Sequence, residues 1–289
     1  MTKSRIKKSS FLRGAWARYK RNKPALIGLG IIAVVIFLAV FADILAPYEK
    51  MALAQHADLR FLGPSKEHLL GTDAFGRDSF ARLIHGARWS LAFGFVGATL
   101  SFGIGCVVGA AMALIGGWFD EIMTKVLDIL ISIPSSILLI SLVVLFGRGF
   151  ASLLIAVVVP SLPGGARLCR TVFLSIVSQS YIETARANGC TTGRILLHHV
   201  IPNALSILMI QYSTMVASMV VAAAGFSYLG LGIQPPTPEW GSMLAEAQNY
   251  LRIYPNSVIW PGIIIILVNV ALSLIGNGMS EAMDPQMEE

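Results

Sequence analysis

The chain has 289 residues, a formal net charge of +6, 55 % hydrophobic residues and only 13 % charged residues. Its mean hydropathy is +0.70, and soluble domains carry about 25 % charged residues. This composition excludes a soluble enzyme and favours a protein that lies mostly within a membrane.

Long runs without charged residues predict the membrane spans, because a span needs about 20 mostly apolar residues. These runs are 24–42, 89–119, 129–147, 149–166, 200–238 and 253–280. Continuously apolar stretches such as 31–41 lack the alternation of β-barrel strands, so the spans are predicted to be helices. The predicted fold class is all-α, a polytopic membrane protein with six transmembrane helices.

A basic N-terminal arm predicts the orientation. The first 24 residues carry nine basic residues and no acidic ones. A basic arm directly before a span is typical of the cytoplasmic side, and we favour this interpretation over nucleic-acid binding. Both termini are therefore expected inside. The predicted organisation is a basic cytoplasmic arm (1–23), a first span with an extracytoplasmic loop (24–87), a five-helix core (88–280) and a cytoplasmic tail (281–289).

Small residues and prolines predict how the spans pack. Gly105 and Gly109 form a Gly-x-x-x-Gly motif in the second span (88–115), which is typical of close helix contact in lipid. We interpret it as helix packing first and as a subunit contact second. The third and fourth spans (120–146 and 150–175) are expected to bend at their prolines. These are Pro134, Pro160 and Pro163.

Asp128 is an acid inside the third predicted span, and an intramembrane acid is a candidate functional residue. Lys125 lies three residues earlier and Glu121 four before that, so we favour a helix-surface network of the three near the cytoplasmic interface. A cation site in the pathway is the alternative.

Motifs of catalysis are absent from the sequence. It has no Gly-x4-Gly-Lys-[Ser/Thr] phosphate loop and no His-Glu-x-x-His, and the adjacent His198 and His199 point about 100° apart on a helix. We therefore predict no catalytic, metal or cofactor site in this chain. Three cysteines without a close pair are expected to be free thiols. These are Cys106, Cys169 and Cys190.

The polar stretch 180–203 predicts two short cytoplasmic helices. Residues 181–188 form the first, with Glu183 in its first turn and Gly189 ending it. Residues 194–200 form the second, and Pro202 stands just inside the fifth span (201–229), where its missing N–H is harmless. This helix–glycine–helix unit is suited to hold another protein, and an ordinary interfacial linker is the alternative.

Two extracytoplasmic segments are predicted to be ordered. Residues 71–82 alternate in charge, with Asp73, Arg77, Asp78 and Arg82, which favours mutual pairing over contact with a docked partner. Residues 230–241 combine glycines with three prolines and predict a compact, stiff loop. An interfacial aromatic belt is expected nearby. Its members are Trp240, Tyr254 and Trp260.

Several motifs resemble a known family. Glu183-Thr184-Ala185, then Gly189 and Ile201-Pro202, resemble the EAA loop of ABC importer permeases, with Thr184 where that family usually has Ala. Segments 68–78, 128–134, 228–241 and 274–285 resemble the C-type permeases of dipeptide, oligopeptide and nickel importers. The family's extracytoplasmic motif residues here are Asp73, Arg77, Asp78, Gly230, Gly232, Pro235, Pro236, Glu239 and Trp240.

This resemblance implies a type I ABC importer permease fold and a function. The chain would form half of an ATP-driven pathway for small peptides in a bacterial or archaeal cytoplasmic membrane. Implied partners are a second, B-type permease, two ABC ATPases that bind ATP and Mg²⁺, a solute-binding protein and the lipid bilayer. The implied ATPase-coupling residues are Glu183, Thr184, Ala185, Gly189, Ile201 and Pro202.

Two alternatives stay open at this point. A nickel-chelate or glutathione importer of the same family would share these motifs. An ATP-independent carrier or channel belongs to a different class, and carriers usually show membrane-buried charges or internal repeats.

Overall fold

The computed structural model describes residue 14 and residues 16–283, and these residues form helices joined by ordered loops. Most of the predicted basic arm and residues 284–289 of the predicted tail lie outside the described residues. The helices are α1 (Lys23–Val40), α2 (Ala42–Leu45), α3 (Ser79–Ile115), α4 (Gly117–Ser132), α5 (Ser135–Phe146), α6 (Phe150–Val177), α7 (Ser180–Ala187), α8 (Thr192–Ile195), α9 (Ile201–Tyr228), α10 (Trp240–Ala247) and α11 (Asn256–Met283).

Five helical segments are long and apolar enough to cross a membrane. They are α1, α3, α6, α11 and the continuous segment that ends with α9. Helices α4 and α5 pass the same test together, but they meet at an angle of 83°. The described part of the chain therefore has six spans if α4 and α5 form one broken span.

The break between α4 and α5 corrects the prediction of one bent helix over 120–146. Ile133 adopts an extended conformation, with φ −83° and ψ 122°, because the ring of Pro134 disfavours the helical conformation of the residue before it. Helix α5 then begins at Ser135. Pro160 and Pro163, unlike Pro134, do not end a helix, since α6 continues through both.

Helix α3 begins at Ser79, well before the predicted start of the second span at residue 88. The side chain of Asp78 caps it, accepting a hydrogen bond from the Ala81 amide over 2.7 Å. The prediction placed residues up to 87 in the extracytoplasmic loop, whereas the helix already includes Arg82 and its neighbours.

Helices α3 and α6 touch backbone to backbone at the two glycines of the motif. A Cβ atom at Gly109 would lie 2.7 Å from the Ala166 carbonyl oxygen and 2.7 Å from the Arg170 amide nitrogen. A Cβ atom at Gly105 would lie 3.0 Å from the Ala166 amide nitrogen. The motif therefore packs helices within the chain, as predicted.

The two largest hydrophobic clusters of the described residues lie within the bundle. The larger one joins α1, α3, α5, α6, α9 and α11 around residues such as Phe93, Leu153 and Val268. The smaller one lies at the end of the bundle that carries α7, and it includes Phe173, Ile182 and Ala204. We call this end the α7 end and the opposite one the α10 end.

The α3–α6 contact predicts that Gly109→Ala destabilises the bundle. The added methyl group has no space, and overpacking of this kind costs about 1–3 kcal/mol. Gly103→Ala is the matched control, because nothing lies within 4 Å of a Cβ atom there. Thermal unfolding of the purified protein measures both variants, and equal midpoints for the two would contradict the packing.

Candidate functional site

The predicted coupling residues lie on α7, an exposed helix that is anchored by one buried side chain. Ile182 is fully buried in the cluster at the α7 end. Its neighbours Glu183 and Thr184 are exposed, and Ala185 is half-buried. Helix α7 therefore presents Glu183 on the surface while Ile182 holds the helix against the bundle.

Gly189 ends α7 in the way that the sequence predicts. Its φ of +76° is in the left-handed region, where glycine is favoured. The Cys190 amide donates to the Ala185 carbonyl over 3.0 Å, and the Gly189 amide donates to the Arg186 carbonyl over 2.9 Å. This hydrogen-bond pair is a Schellman motif, so the direction in which the chain leaves α7 is determined locally.

The second predicted coupling helix is not separate, which corrects the prediction. Helix α8 continues through a π-helical turn (Leu196–Val200) directly into α9. Ile201 and Pro202 are half-buried in the first turn of α9. The sequence predicted an end of the short helix at residue 200 and a start of the span at residue 201, whereas the structure has no break between them.

A polar contact ties α7 to the start of α9. The Asn203 Nδ2 atom donates to the Tyr181 hydroxyl over 3.2 Å and to the His199 carbonyl over 2.7 Å. Together with the burial of Ile182, this contact makes α7, α8 and the start of α9 one continuous unit.

A network of four charged side chains closes the α10 end. The side chains of Arg77 and Arg82 are buried, with exposed fractions of 2 % and 1 %. The Nη2 atom of each lies 2.7 Å from the Glu246 Oε2 atom on α10. The Asp73 Oδ2 atom lies 2.6 Å from the Arg77 Nε atom. The predicted mutual pairing of the alternating charges is confirmed for Asp73 and Arg77.

Glu246 is the member of this network that sequence reasoning missed. It lies 164 residues after Arg82 and 169 after Arg77, so no local spacing points to it. Arg82 also donates to the Ala52 and Pro236 carbonyls, each over 3.3 Å. The network thereby joins the long loop after α1, the start of α3, the proline loop and α10.

Asp78 does not join the network, although the sequence places it in the same charge cluster. One carboxylate oxygen caps α3, and the other lies 2.8 Å from the His68 Nδ1 atom. Asp78 therefore orders the loop of residues 68–78 against the first turn of α3.

The proline loop 230–241 is ordered by its polar ends. Gly230 has a φ of +75°, and the Gln234 side chain donates to the Gly230 and Gly232 carbonyls over 3.1 and 2.9 Å. The Pro236 carbonyl accepts a hydrogen bond from Arg82, and Pro235 precedes Pro236 in the same turn. The predicted compact loop is confirmed.

Glu239 is a buried carboxylate that caps α10. Its oxygens accept hydrogen bonds from the Gly241 and Ser242 amides, each over 2.9 Å, and from the Ser90 hydroxyl over 3.0 Å. Burial raises the pKa of the Glu239 carboxyl above its usual range, against the lowering effect of these hydrogen bonds. Glu239 thus attaches α10 to α3.

Trp240 is not part of an aromatic belt, which corrects the prediction. Its side chain is fully buried, and its Nε1 atom donates to the Leu83 carbonyl over 3.0 Å. The Glu239 cap turns the first residue of α10 inward. Tyr254 and Trp260 are half-buried, and the Tyr254 hydroxyl donates to the Leu62 carbonyl over 2.7 Å.

Asp128 pairs with a different helix from the one predicted. Lys125 and Glu121 pair with each other over 2.7 Å, whereas Asp128 forms an ion pair with Arg167 on α6. The spacing of residues within α4 carries no information about which residues of α6 contact it, so the sequence could not identify this partner.

The thiols of Cys106 and Cys169 meet although they are 63 residues apart. Their Sγ atoms lie 2.9 Å from each other across the α3–α6 contact, a proximity that their spacing in the sequence does not show. All three cysteines are free thiols, as predicted.

The described residues form a bundle of long apolar helices with one exposed helical unit at the α7 end, which is the architecture of a polytopic membrane protein. The profile of the family described as binding-protein-dependent transport system inner membrane component matches residues 103–289. The profile of the N-terminal transmembrane domain of oligopeptide transport permease C matches residues 10–64. The chain belongs to this family of ABC importer permeases.

Curated relatives support the same family over almost the whole chain. A dipeptide transport system permease protein DppC from Alkalihalophilus pseudofirmus is 36 % identical over 276 residues, covering 96 % of this chain and 90 % of the relative. A glutathione transport system permease protein GsiD from Escherichia coli O157:H7 is 36 % identical over 273 residues, covering 94 % and 90 %.

A solved structure of an ABC importer shares the fold. Inward-facing MetNI methionine ABC transporter aligns with a TM-score of 0.60 and 21 % sequence identity, covering 70 % of this chain and 96 % of that chain. The predicted fold of an ABC importer permease is confirmed.

The charged network predicts that Glu246→Ala strongly destabilises the protein. Removal of the carboxylate leaves two buried guanidinium groups short of a partner, and breaking a buried pair costs about 3–5 kcal/mol. Glu121→Ala is the control, because the Glu121–Lys125 pair is exposed and such pairs contribute about 0–1 kcal/mol. Thermal unfolding compares the variants, and a small effect of Glu246→Ala would contradict a structural role of the network.

Proposed function

We propose that this chain forms half of the translocation pathway of an ATP-driven importer for small peptides. Family membership supports the transport role, and the dipeptide relative supports the solute class. A second relative of equal identity is a glutathione permease, so it supports a different solute that is also peptide-like. The resemblance to nickel importers leaves a metal chelate as the alternative.

The observation that carries the coupling proposal is the surface placement of α7. Glu183 is exposed on a helix whose buried Ile182 and Schellman end determine its position. A cytoplasmic ATPase subunit binds this surface, and α7 moves with it. Because Asn203 joins α7 to α9, movement of α7 displaces a spanning helix.

The proposed assembly contains this chain, a second homologous permease, two ABC ATPases and an extracytoplasmic solute-binding protein. ATP and Mg²⁺ bind in the ATPase subunits, not in this chain. The α7 end faces the cytoplasm and the α10 end faces outward, which agrees with the basic surplus of residues 167–199. Closure of the ATPase pair can change the pathway only if the contacts between the ATPases and the permeases differ between the two states of the pathway.

The orientation predicts opposite labelling of two exposed positions. In a background with the native cysteines replaced by alanine, Lys66→Cys should react with a membrane-impermeant thiol reagent in intact cells. Asn188→Cys should react only after the membrane is opened, since residue 188 lies at the α7 end. Labelling of Asn188→Cys in intact cells would contradict the orientation.

The coupling proposal predicts that Glu183→Ala weakens binding of the ATPase subunits. A charge-assisted hydrogen bond at an interface contributes about 1.5–3 kcal/mol, so the affinity should fall roughly 10- to 150-fold. Co-purification of the ATPases with the tagged permease pair measures binding, and uptake into reconstituted vesicles measures transport. Glu121→Ala is the control, as an exposed carboxylate outside α7.

Gly189→Val should have the same effect for a different reason. Valine is strained at a φ of +76°, so the end of α7 must change direction. Gly193→Val is the matched control, because Gly193 has open space and no positive φ. Full ATPase binding and full transport in both Glu183→Ala and Gly189→Val would overturn the coupling assignment.

A further inference from the structure

Two thiols meet at the crossing of α3 and α6. The Cys106 Sγ atom on α3 lies 2.9 Å from the Cys169 Sγ atom on α6. The S–S bond of a disulfide is about 2.05 Å long, so the two sulfur atoms are about 0.9 Å from bonding distance. Both residues are free thiols in this structure. The chain therefore holds a reduced cysteine pair that is already placed for a disulfide.

The backbone contact of α3 with α6 makes the crossing narrow enough for such a bond. A Cβ atom at Gly109, which follows Cys106 by one helical turn, would lie 2.8 Å from the Cys169 Cβ atom. A disulfide needs Cα atoms within about 7 Å and side chains that point toward each other. The glycine contact provides the first condition and the meeting of the two sulfur atoms provides the second, so a small rotation of both side chains joins them.

The thiols of this chain differ in exposure. Cys169 is fully buried in the cluster at the α7 end, and Cys106 is half-buried at the edge of that cluster. An oxidant therefore reaches Cys106 first, because oxidation of a thiol follows its accessibility. No sulfur contact joins Cys190 to the other two thiols in the part of the chain that the structure describes. Cys190 therefore serves as an internal control.

We propose that Cys106 and Cys169 form an oxidisable pair, which a hydroperoxide converts into a disulfide between α3 and α6 and which a small thiol restores. The proposal concerns the α3–α6 contact alone. It is therefore independent of the transported solute and of the coupling role of α7.

The reaction has two steps. The Cys106 sulfur attacks the outer oxygen of the hydroperoxide, the O–O bond breaks, and an alcohol or water leaves while Cys106 becomes a sulfenic acid. The Cys169 sulfur then attacks the Cys106 sulfur, the S–O bond breaks, and the hydroxyl group leaves as water with the proton of Cys169. Two thiols lose two electrons and the hydroperoxide gains them. An external thiol reverses the change by thiol–disulfide exchange.

The disulfide closes a covalent loop that contains α4 and α5. Its two ends are 63 residues apart, and a cross-link of this kind restricts the unfolded chain more strongly the longer the loop is. The bond joins two helices that are already in contact at Gly109. Oxidation is therefore expected to stabilise the bundle without rearranging it.

The first test identifies the thiols that remain after oxidation. The purified full-length protein is treated with a small excess of hydrogen peroxide, and its free thiols are then alkylated under denaturing conditions. Peptide mapping without a reductant should show a Cys106–Cys169 disulfide within single chains and an alkylated Cys190. Dithiothreitol should restore both thiols. Alkylation of all three cysteines after oxidation, or sulfinic acid at Cys106 without a disulfide, would overturn the proposal.

A displaced thiol tests whether contact, rather than general reactivity, selects the pair. The double variant Cys106→Ala and Val107→Cys keeps the number of thiols but moves one to a position where the side chain is 71 % exposed. The bond to Cys169 should form at least about tenfold faster in the original protein, because groups held in contact react as an intramolecular pair. Equal rates, or a main product that links Cys169 to Cys190, would contradict the assignment.

The second test measures the effect of the bond on stability. Oxidation should raise the thermal midpoint of the original protein by about 5 °C or more, and dithiothreitol should reverse the rise. Cys106→Ala should show no such rise, whereas Cys190→Ala should behave like the original protein. A disulfide that forms but leaves the midpoint unchanged or lowers it would show that the pair does not fit the native contact, and this result would overturn the stabilising role.

Discussion

The backbone contact of α3 with α6 is the constraint on which the rest of the structure depends. Gly105 and Gly109 allow this contact, because any side chain there would meet the α6 backbone. Helix packing in lipid lacks the hydrophobic drive of water and relies on such close approach. Arg82 on α3 forms an ion pair with α10, and Arg167 on α6 forms one with α4, so both helices also carry charged contacts to their neighbours.

The two ends of the bundle are built by different means. The α10 end is held by buried ion pairs and by the Glu239 cap, which connect segments distant in sequence. At the other end, helix α7 is attached by the buried Ile182 side chain, by its Schellman end and by the hydrogen bond from Asn203 to Tyr181. A rigid end suits a surface that receives a partner, and a lightly attached helix suits a part that moves with one. The difference therefore agrees with the proposed division between solute delivery and coupling.

Most errors of sequence interpretation concern partners that lie far away along the chain. Asp128 was assigned to Lys125 because both lie on α4, yet its partner is on α6. Glu246 was missed because its two arginines are more than 160 residues away. Trp240 was assigned to an aromatic belt from its type, whereas the Glu239 cap directs it into the core. Residue spacing describes one helix at a time, and these contacts join two.

The sequence by itself determined the helical class, the approximate place of the spans, the end of α7 at Gly189 and the family. These follow from apolar length, glycine conformation and local motifs, which act over a few residues. Only the tertiary structure decided that α4 and α5 meet at 83°, that α8 runs into α9, and which charges pair. Those outcomes depend on how helices distant in sequence pack, because a charge or a break in one helix is satisfied by groups on another.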